Sequence, residues 1–505
     1  REVRPRMART PTPPSALRRR PRRSPIVRPS SGRQTGSCPR RMTLNFVALS
    51  AAEVACRAIS VAVTLSLTKS LTRDGYGRIE FAFNIVFWLV LLVRDGFEVF
   101  AAREIARHPR LIRPLVNHVL AVKGLLAVGL LAGLIGIGGL TLSEPTQRTI
   151  LSLYGLLLLT TAMGIDFVYR GLERMGLVAI SLIIRTAVYA VGVWIWVTGI
   201  TQIVWVPAWL VMGEAFGIGL VWACYTWEFG LPRPVLGGRF LRVFLNRGRP
   251  VYLIQVAQAV IGSVDLLVVG LMSQWDDVGL YGAPHRMVTA VLTFGLIVQQ
   301  VVFPTLARSW RGTAAAGRQA LDAWVRVLVS GLVPLVVGTV VLARPLVNGI
   351  LTPDYQGASL LLALEIWRAP LLTLAFLYQT ALIALNRETA GVRLLLAGAI
   401  ASGPLVALLR WQFGLPGAAV AVVLIGFFLV AAGHWRLACE GRHPAWHHHL
   451  ARPVLASLFM APVCWYLASW HLMAAVAGGA LVYVVVLAAS GGLHSRDLQA
   501  ILGRT

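Results

Sequence analysis

Residues Ser263–Trp310 read SVDLLVVGLMSQWDDVGLYGAPHRMVTAVLTFGLIVQQVVFPTLARSW, and a weaker version of this pattern occurs earlier, at Asp74–Pro109. The earlier segment reads DGYGRIEFAFNIVFWLVLLVRDGFEVFAAREIARHP. Aligning Tyr76 with Tyr281 superimposes the glycine after each tyrosine and, without a gap, an Ala-Arg pair near the end of each segment. Internal duplication in a hydrophobic chain is typical of transporters, which place the substrate path between the repeats. The stretch therefore predicts two copies of one membrane unit.

The composition excludes a soluble globular protein. Of the 505 residues, 57% are hydrophobic and 13% charged, and the mean hydropathy is +0.70, whereas soluble domains have about 25% charged residues. A helix of about 20 apolar residues crosses the hydrocarbon core of a bilayer. The sequence predicts an all-α polytopic membrane protein with about fourteen such helices, near residues 45–67, 79–94, 116–139, 149–166, 176–199, 203–225, 250–272, 284–306, 323–343, 358–384, 391–411, 416–437, 451–468 and 470–490.

The positive charge is distributed unevenly across the predicted membrane. Residues 1–41 hold thirteen arginines and one acid, which is nearly half of the net charge of +26. In the loops and helix ends that follow, 23 basic residues fall on the side of this tail and seven on the other. Because cytoplasmic loops are rich in Lys and Arg, we predict a multi-pass protein of the bacterial inner (plasma) membrane with both termini in the cytoplasm. This asymmetry accounts for the basic charge, so no nucleic-acid partner is expected.

The predicted helices divide the chain into five parts. The Arg- and Pro-rich tail is expected to be disordered, with a mis-called gene start as the alternative reading of this segment. The parts are the cytoplasmic tail 1–41, an N-lobe at 42–226 (helices 1–6), a cytoplasmic linker at 227–249, a C-lobe at 250–437 (helices 7–12), and helices 13 and 14 with a cytoplasmic C-terminus at 438–505.

Patterns that would indicate an enzyme or a cofactor are weak in this sequence. Neither Lys69 nor Lys123 follows a glycine, so the Gly-Lys-Ser/Thr of an ATP-binding loop is missing. The cysteines have no CxxC spacing. Clustered histidines at His443–His449 can share a metal ion, but only Cys439 and Glu440 lie nearby, and a solvated interfacial loop is the preferred interpretation. We therefore expect no cofactor, no metal and no enzymatic activity.

Several segments together match the pattern of a known family. They are Leu67–Ala82, Val93–Ala106, Asp277–Met287 preceded by Asp265, the Phe303-Pro304 step, Arg344–Ser359, and the Leu-x-Arg linkers at Gly171–Gly176 and Ala384–Gly391. Over about residues 43–437 the chain resembles the polysaccharide biosynthesis and export family of lipid-linked oligosaccharide flippases, within the multidrug/oligosaccharidyl-lipid/polysaccharide transporter superfamily. The resemblance implies two six-helix lobes in a pseudo-twofold arrangement around a central cavity, with helices 13 and 14 appended.

The resemblance also implies a function. The chain is expected to flip a polyprenyl-diphosphate-linked oligosaccharide, such as an O-antigen or exopolysaccharide unit, from the inner to the outer leaflet by alternating access. Expected partners are the bilayer and, in the cell, a polysaccharide polymerase and glycosyltransferases. One alternative is an ion-coupled multidrug or organic-cation exporter of the same superfamily. Another is a membrane polymerase, ligase or glycosyltransferase, which the short predicted outer loops disfavour.

Charged residues inside the predicted helices are the candidate site, because each costs roughly 2.5–3.5 kcal/mol at the bilayer centre unless it is paired or hydrated. Arg57 and Arg286, from opposite lobes, are predicted to bind the diphosphate, since guanidinium groups donate forked hydrogen bonds to phosphate. The alternatives are an internal Glu53–Arg57 pair and, for Arg286, a side chain that extends to the membrane interface.

Glu53 and Asp265 are predicted to line the cavity or to take part in ion coupling, because a carboxylate in a low dielectric can exchange protons. A satisfied polar contact with a neighbouring helix is the alternative for Asp265. Glu365 and Arg368, three residues apart on predicted helix 10, are interpreted as a mutual structural pair.

Overall fold

The computed structural model describes residues 39–444 and 446–491. The chain divides into two units, residues 1–43 and 44–505, and all contacts described below lie within the second. The tail predicted to be disordered lies, up to residue 38, outside the described residues. Within the described residues the regular structure is helical throughout, with no β-strand.

Fifteen α-helices are present in the part of the chain that the structure describes. They are α1 (Pro39–Ser70), α2 (Arg73–Arg107), α3 (Ile112–Thr141), α4 (Pro145–Met163), α5 (Asp166–Gly171), α6 (Met175–Trp196), α7 (Trp205–Phe229), α8 (Gly238–Met272), α9 (Trp275–Gly312), α10 (Ala314–Ile350), α11 (Ala358–Glu365), α12 (Arg368–Ala384), α13 (Glu388–Cys439), α14 (Trp446–Ala468) and α15 (Leu472–Ala489).

The predicted fold class is confirmed. Eleven helical segments among the described residues are long and apolar enough to cross a membrane. The longest, α13, combines predicted helices 11 and 12, which meet at Gly414 with φ 72° and ψ −156°. Helices α2 and α9, outside that set of eleven, correspond to predicted helices 2 and 8. Fourteen is therefore an approximate count of the helices of a multi-pass membrane protein.

Several helix boundaries differ from the predicted ones. Helix α2 continues to Arg107, well past the predicted end at residue 94, because the helical pattern does not stop where charged residues begin. Helix α8 begins at Gly238, inside the predicted 227–249 linker. Predicted helix 10 is interrupted near Ile366, between α11 and α12. Each difference follows from using apolar runs to find helices, since such runs mark the hydrocarbon core and not the helix ends.

The backbone repeats itself at the two Leu-x-Arg linkers. The middle residues of these linkers, Glu173 and Asn386, have φ values of 59° and 58°, and they are the only non-glycine residues with positive φ in the described chain. In each copy the arginine N–H donates to the carbonyl five residues earlier: Arg174 to Tyr169, and Arg387 to Leu382, both at 2.8 Å. This is the bond pattern of a Schellman helix end, and its occurrence in both linkers supports the duplication at the level of hydrogen bonding.

The duplicated motif forms the contact between the two lobes. Helices α2 and α9 cross where each begins, with Gly77 against the backbone of Trp275 and Gly279. A Cβ added at Gly77 would overlap the Trp275 carbonyl oxygen, and one at Gly279 would overlap that of Arg73. Small residues allow membrane helices to approach at backbone distance. Gly77, from the first Tyr-Gly pair, and Gly279 therefore set how closely the lobes approach.

Hydrogen bonds and apolar packing close the same end of the molecule. The Arg73 guanidinium donates to the carbonyl oxygens of Asp354 at 3.2 Å and Asp276 at 3.4 Å. Tyr76 and Tyr355 are buried together in one apolar cluster with residues of both lobes. The lobes are in contact across this end through α2, α9 and the turn before α11.

Helices α14 and α15 are attached to the outside of the C-lobe. Helix α14 packs along α10, and an apolar cluster that includes Leu342, Met460 and Tyr483 joins α10 with α14 and α15. The Tyr483 hydroxyl donates to the Ser330 carbonyl oxygen at 2.6 Å. The two appended helices are thus bound to α10.

We predict that Gly77→Ala lowers the thermal denaturation midpoint of the protein in detergent, because the added methyl group forces α2 and α9 apart. Overpacking of this kind costs about 1–3 kcal/mol. The matched control is Gly129→Ala in α3, where nothing lies within 4 Å of an added Cβ. Equal midpoints for the two variants would contradict the close crossing.

Candidate functional site

Arg57 lies on α1 with its side chain exposed, and it makes no hydrogen bond or ion pair with any residue that the structure describes. The predicted alternative of a tight pair with Glu53 is not formed. Protein atoms nevertheless desolvate the guanidinium, and Arg286, Glu53 and Arg94 lie within electrostatic reach of it. A side chain that water can reach while protein surrounds it lies on the wall of a cavity or cleft.

Arg286 is held inside the protein on α9. Its Nε lies 3.5 Å from Glu80 Oε1, and its guanidinium carbon lies 4.7 Å from the centre of the Phe83 ring. Both partners belong to α2, so the contact joins the two lobes. The side chain is 33% exposed and its terminal nitrogens make no hydrogen bond among the described residues, which leaves them free to donate to a ligand.

Glu80 is the main residue of this region that the sequence analysis missed. Its side chain is 4% exposed, and it accepts a hydrogen bond from the Tyr76 hydroxyl at 2.7 Å. The four-residue spacing places Tyr76 and Glu80 on one face of α2, and that spacing is the signal that could have identified Glu80. Its position at the lobe contact could not be read from the local sequence.

Arg57, Arg94 and Arg286 together form what we call the arginine site. Arg94 was counted with the cytoplasmic residues in the sequence analysis, but it lies within electrostatic reach of Arg57. Its Nε is 3.9 Å from Glu98. Guanidinium groups from α2 and α9 therefore lie within electrostatic reach of Arg57 on α1, and the planar forks of such groups suit phosphate oxygens. The site has cations from both lobes.

Asp265 occupies a different environment, a fully buried cluster in the C-lobe. It accepts hydrogen bonds from Arg368 Nη1 at 3.0 Å and from the Tyr281 hydroxyl at 2.8 Å. Arg368 also donates to the Gly262 carbonyl oxygen at 2.6 Å and lies 3.5 Å from Glu365. His285 Nδ1 lies 3.2 Å from Asp265 and 3.7 Å from Glu365. We call these five side chains, Asp265, Tyr281, His285, Glu365 and Arg368, the C-lobe cluster.

The predicted Glu365–Arg368 pair is present, but it is only part of this cluster. Arg368 is closer to Asp265, which lies on α8, than to Glu365. Sequence reasoning placed Asp265 and Arg368 on separate helices and had no signal for their contact, because 103 residues separate them. His285 was quoted only as part of the repeated motif, although it lies one helical turn after Tyr281.

The C-lobe cluster has an excess negative charge when His285 is neutral. Two carboxylates, Asp265 and Glu365, face one arginine, and all three side chains have an exposure of 0%. Arg368 Nη1 lies 3.0 Å from His285 Nδ1. Since a guanidinium cannot accept a hydrogen bond, Nδ1 accepts from Arg368 when it is unprotonated, and when it is protonated it can donate to Asp265 Oδ2 at 3.2 Å. Neither oxygen of Glu365 accepts a hydrogen bond among the described residues, so one buried carboxylate is incompletely satisfied.

The spacing of this cluster also bears on metal binding. Asp265, His285 and Glu365 each offer an atom within 4.8 Å of the others, which would fit a metal ion. Arg368 Nη1, however, lies 3.0 Å from both Asp265 Oδ2 and His285 Nδ1. A guanidinium already supplies positive charge between these ligands, so the arrangement favours a proton over a metal ion as the species that balances the charge.

Other charged residues inside the N-lobe are paired. Lys123 Nζ lies 2.9 Å from Glu98 Oε1 and donates to the Gly164 carbonyl oxygen at 3.1 Å. Arg185 lies between two acids, 2.6 Å from Asp166 and 3.1 Å from Glu214. These ion pairs lie within the N-lobe, and they offset the free energy that burying an unpaired charge would cost.

The histidine run differs from its predicted environment. The segment predicted as a solvated loop is helical from Trp446, the first residue of α14. His449 is buried, and its Nε2 lies 3.2 Å from Asp322 on α10. That residue therefore connects α14 to the C-lobe, because burial against α10 gives it an acidic partner that the local sequence does not contain.

Comparisons with solved structures show which known fold this architecture resembles. The lipid II flippase MurJ in an inward closed conformation is similar with a TM-score of 0.71 at 14% identity, covering 90% of this chain and 99% of that one. An inward-facing multidrug resistance MATE family transporter of the MOP superfamily has a TM-score of 0.64 at 12% identity, covering 79% and 100%. A MOP superfamily transporter from Pyrococcus furiosus has 0.54 at 12% identity, covering 79% and 97%. At these identities the likeness establishes the fold.

The sequence comparisons establish the family. No curated protein sequence matches the chain significantly. The family model described as polysaccharide biosynthesis protein matches residues 43–310, a segment that contains the whole N-lobe, the repeated motif and both halves of the arginine site. Because this match covers more than half of the sequence, the chain belongs to the polysaccharide biosynthesis protein family, and its fold is similar to those of MurJ and the MATE family transporter.

Proposed function

We propose that this protein flips a polyprenyl-diphosphate-linked oligosaccharide from the inner to the outer leaflet of the bacterial plasma membrane by alternating access. The observation that carries the proposal is the arginine site, at a contact between the lobes. Within the described part of the chain, neither Arg57 nor the terminal nitrogens of Arg286 make a hydrogen bond. A diphosphate has several anionic oxygens, and charge-assisted hydrogen bonds from guanidinium groups are the strong ones. The sugar would occupy the water-accessible space while the lipid tail stays in the bilayer.

The charges of the arginine site also distinguish between candidate cargoes. An exporter of organic cations needs acids on its cavity wall. Here Glu98, beside Arg94, is paired with Lys123, and Arg57, Arg94 and Arg286 outnumber the other two nearby acids, Glu53 and Glu80. Glu53 lies within electrostatic reach of Arg57 and is proposed to balance that charge while the site is empty. The cargo is moved without chemical change. Glycosyltransferases would act before the flipping step and a polysaccharide polymerase after it.

We propose in addition that the C-lobe cluster couples transport to protons. One proton added at Glu365 or at His285 Nδ1 would neutralise the excess charge. Protonated His285 could no longer accept from Arg368 and would donate to Asp265 instead, so the proton would rearrange the buried hydrogen bonds. The cluster would then have two discrete arrangements, which a coupling element requires.

We expect Arg57→Ala and Arg286→Ala each to slow flipping of a fluorescent polyprenyl-diphosphate oligosaccharide in proteoliposomes by about tenfold or more, since a charge-assisted hydrogen bond contributes about 1.5–3 kcal/mol. The control is Arg148→Ala, an exposed arginine at the start of α4. Wild-type rates in both variants would overturn the site. Transport of a rhodamine-type cation without transport of the lipid-linked sugar would overturn the proposed cargo.

We expect Glu365→Gln to leave the protein folded but to abolish stimulation of flipping by an imposed pH gradient, because the amide has the shape of the protonated acid and cannot exchange a proton. The matched control is Glu388→Gln, at an exposed glutamate where α13 begins. The measurement compares flipping rates with and without the gradient. A Glu365→Gln protein that responds to the gradient like the wild type would rule out proton coupling at this residue.

A further inference from the structure

A cavity of about 930 Å³ lies away from both sites described above, between α10, α11 and α14. Its lining includes Arg344, Ser359, Leu360, Trp465 and Tyr466. The volume is within the range of about 300–1,000 Å³ typical of small-ligand sites. Helices α10 and α14 both end near it, so the cavity lies at one end of the helix bundle, and the distribution of basic residues places this end on the outside.

The lining residues supply hydrogen-bond donors and no acid. Arg344 is the charged residue of the cavity wall, and it makes no hydrogen bond or ion pair among the described residues. The side chains of Trp465 and Tyr466 likewise have no hydrogen-bond partner there. The hydroxyl of Ser359 already donates to the Gln356 carbonyl oxygen. Free donors with a positive charge and no competing carboxylate are suited to an anion.

The side chains around the cavity indicate where such an anion comes from. Leu360 is 54% exposed and Trp465 is 74% exposed. Further along α14, Leu458 and Phe459 are exposed as well. On a membrane-spanning helix these apolar side chains face lipid, and Trp and Tyr near a helix end lie at the level of the headgroups. The cavity therefore opens towards the headgroup region of the bilayer.

We propose that this cavity binds the phosphate of an anionic glycerophospholipid from the outer leaflet, with Arg344 as the residue that contacts the phosphate. The acyl chains would lie along the exposed apolar face of α14, and Trp465 and Tyr466 would border the glycerol. The site is separate from the arginine site, and the proposal holds whatever cargo the protein carries. Its position between α10 and α14 makes the lipid a contact between the C-lobe and the appended helices.

Native mass spectrometry of the detergent-purified full chain tests this site directly. The wild type should retain phosphatidylglycerol in preference to phosphatidylcholine, and millimolar inorganic phosphate should not displace it. Arg344→Gln should weaken phosphatidylglycerol binding about tenfold, as expected for the loss of a charge-assisted contact. Arg344→Lys should give an intermediate value, because lysine keeps the charge but loses the fork.

The control variant is Arg148→Gln, which removes an exposed arginine elsewhere in the described chain. Three results would overturn the proposal. They are equal retention by Arg344→Gln and the wild type, equal retention of the two lipids by the wild type, and displacement by inorganic phosphate. The last would show a site for free anions. The measurement is lipid retention and not transport. A negative result would therefore not bear on the proposed flipping function, and a failure of the flipping assay would not bear on this lipid site.

Discussion

The close crossing of α2 and α9 is the constraint on which the rest of the structure depends. Backbone contact at Gly77 and Gly279 positions the side chains close to it on each helix. On α2 these are Tyr76 and Glu80, and on α9 they are Tyr281 and His285. Glu80, Tyr281, His285 and Arg286, which contribute to the lobe contact and to the two sites, lie within about two turns of this crossing. The remaining residues of each site come from farther along α2 or from other helices. A larger residue at the crossing would therefore disturb both sites at once.

The charged residues are organised differently in the C-lobe cluster and in the arginine site. In the C-lobe cluster every charge is sealed from solvent and pairs with residues of the same lobe. In the arginine site the Arg57 side chain is exposed, and Arg286 has its acidic partner, Glu80, in the other lobe. A sealed cluster can change its state by gaining or losing a proton, whereas an open site can change by binding a solute or by separation of the lobes. Protonation and substrate binding can thus act on the same protein at separate sites.

The sequence predicted the fold well because its evidence is periodic and repeated. Apolar runs predicted the approximate number of membrane helices, and the alignment of Tyr76 with Tyr281 predicted the duplication. Contacts between distant residues carry no such signature. Arg368 and Asp265 are far apart in sequence, and Glu80 gave no sign that it lies beside Arg286. The role of Arg57 and Arg286 in substrate binding stays a prediction. Glu80 and Phe83, which contact Arg286, were not identified from the sequence, because partner choice depends on how the helices cross.

The alignment of Tyr76 with Tyr281 also pairs one residue of the lobe contact with one residue of the C-lobe cluster. Glu80 and His285 occupy corresponding positions, one turn after the repeated tyrosine. Each tyrosine donates to an acid: Tyr76 to Glu80 at 2.7 Å, and Tyr281 to Asp265 at 2.8 Å. The two copies differ in the contact that this residue makes. Glu80 contacts Arg286 of the other lobe, whereas His285 contacts Asp265 of its own lobe. His285 and Arg286 are consecutive on α9, so this helix carries one residue of each site. Any shift of α9 that follows a change at His285 also moves Arg286 relative to Glu80. Protonation of the C-lobe cluster could therefore affect the arginine site directly through α9.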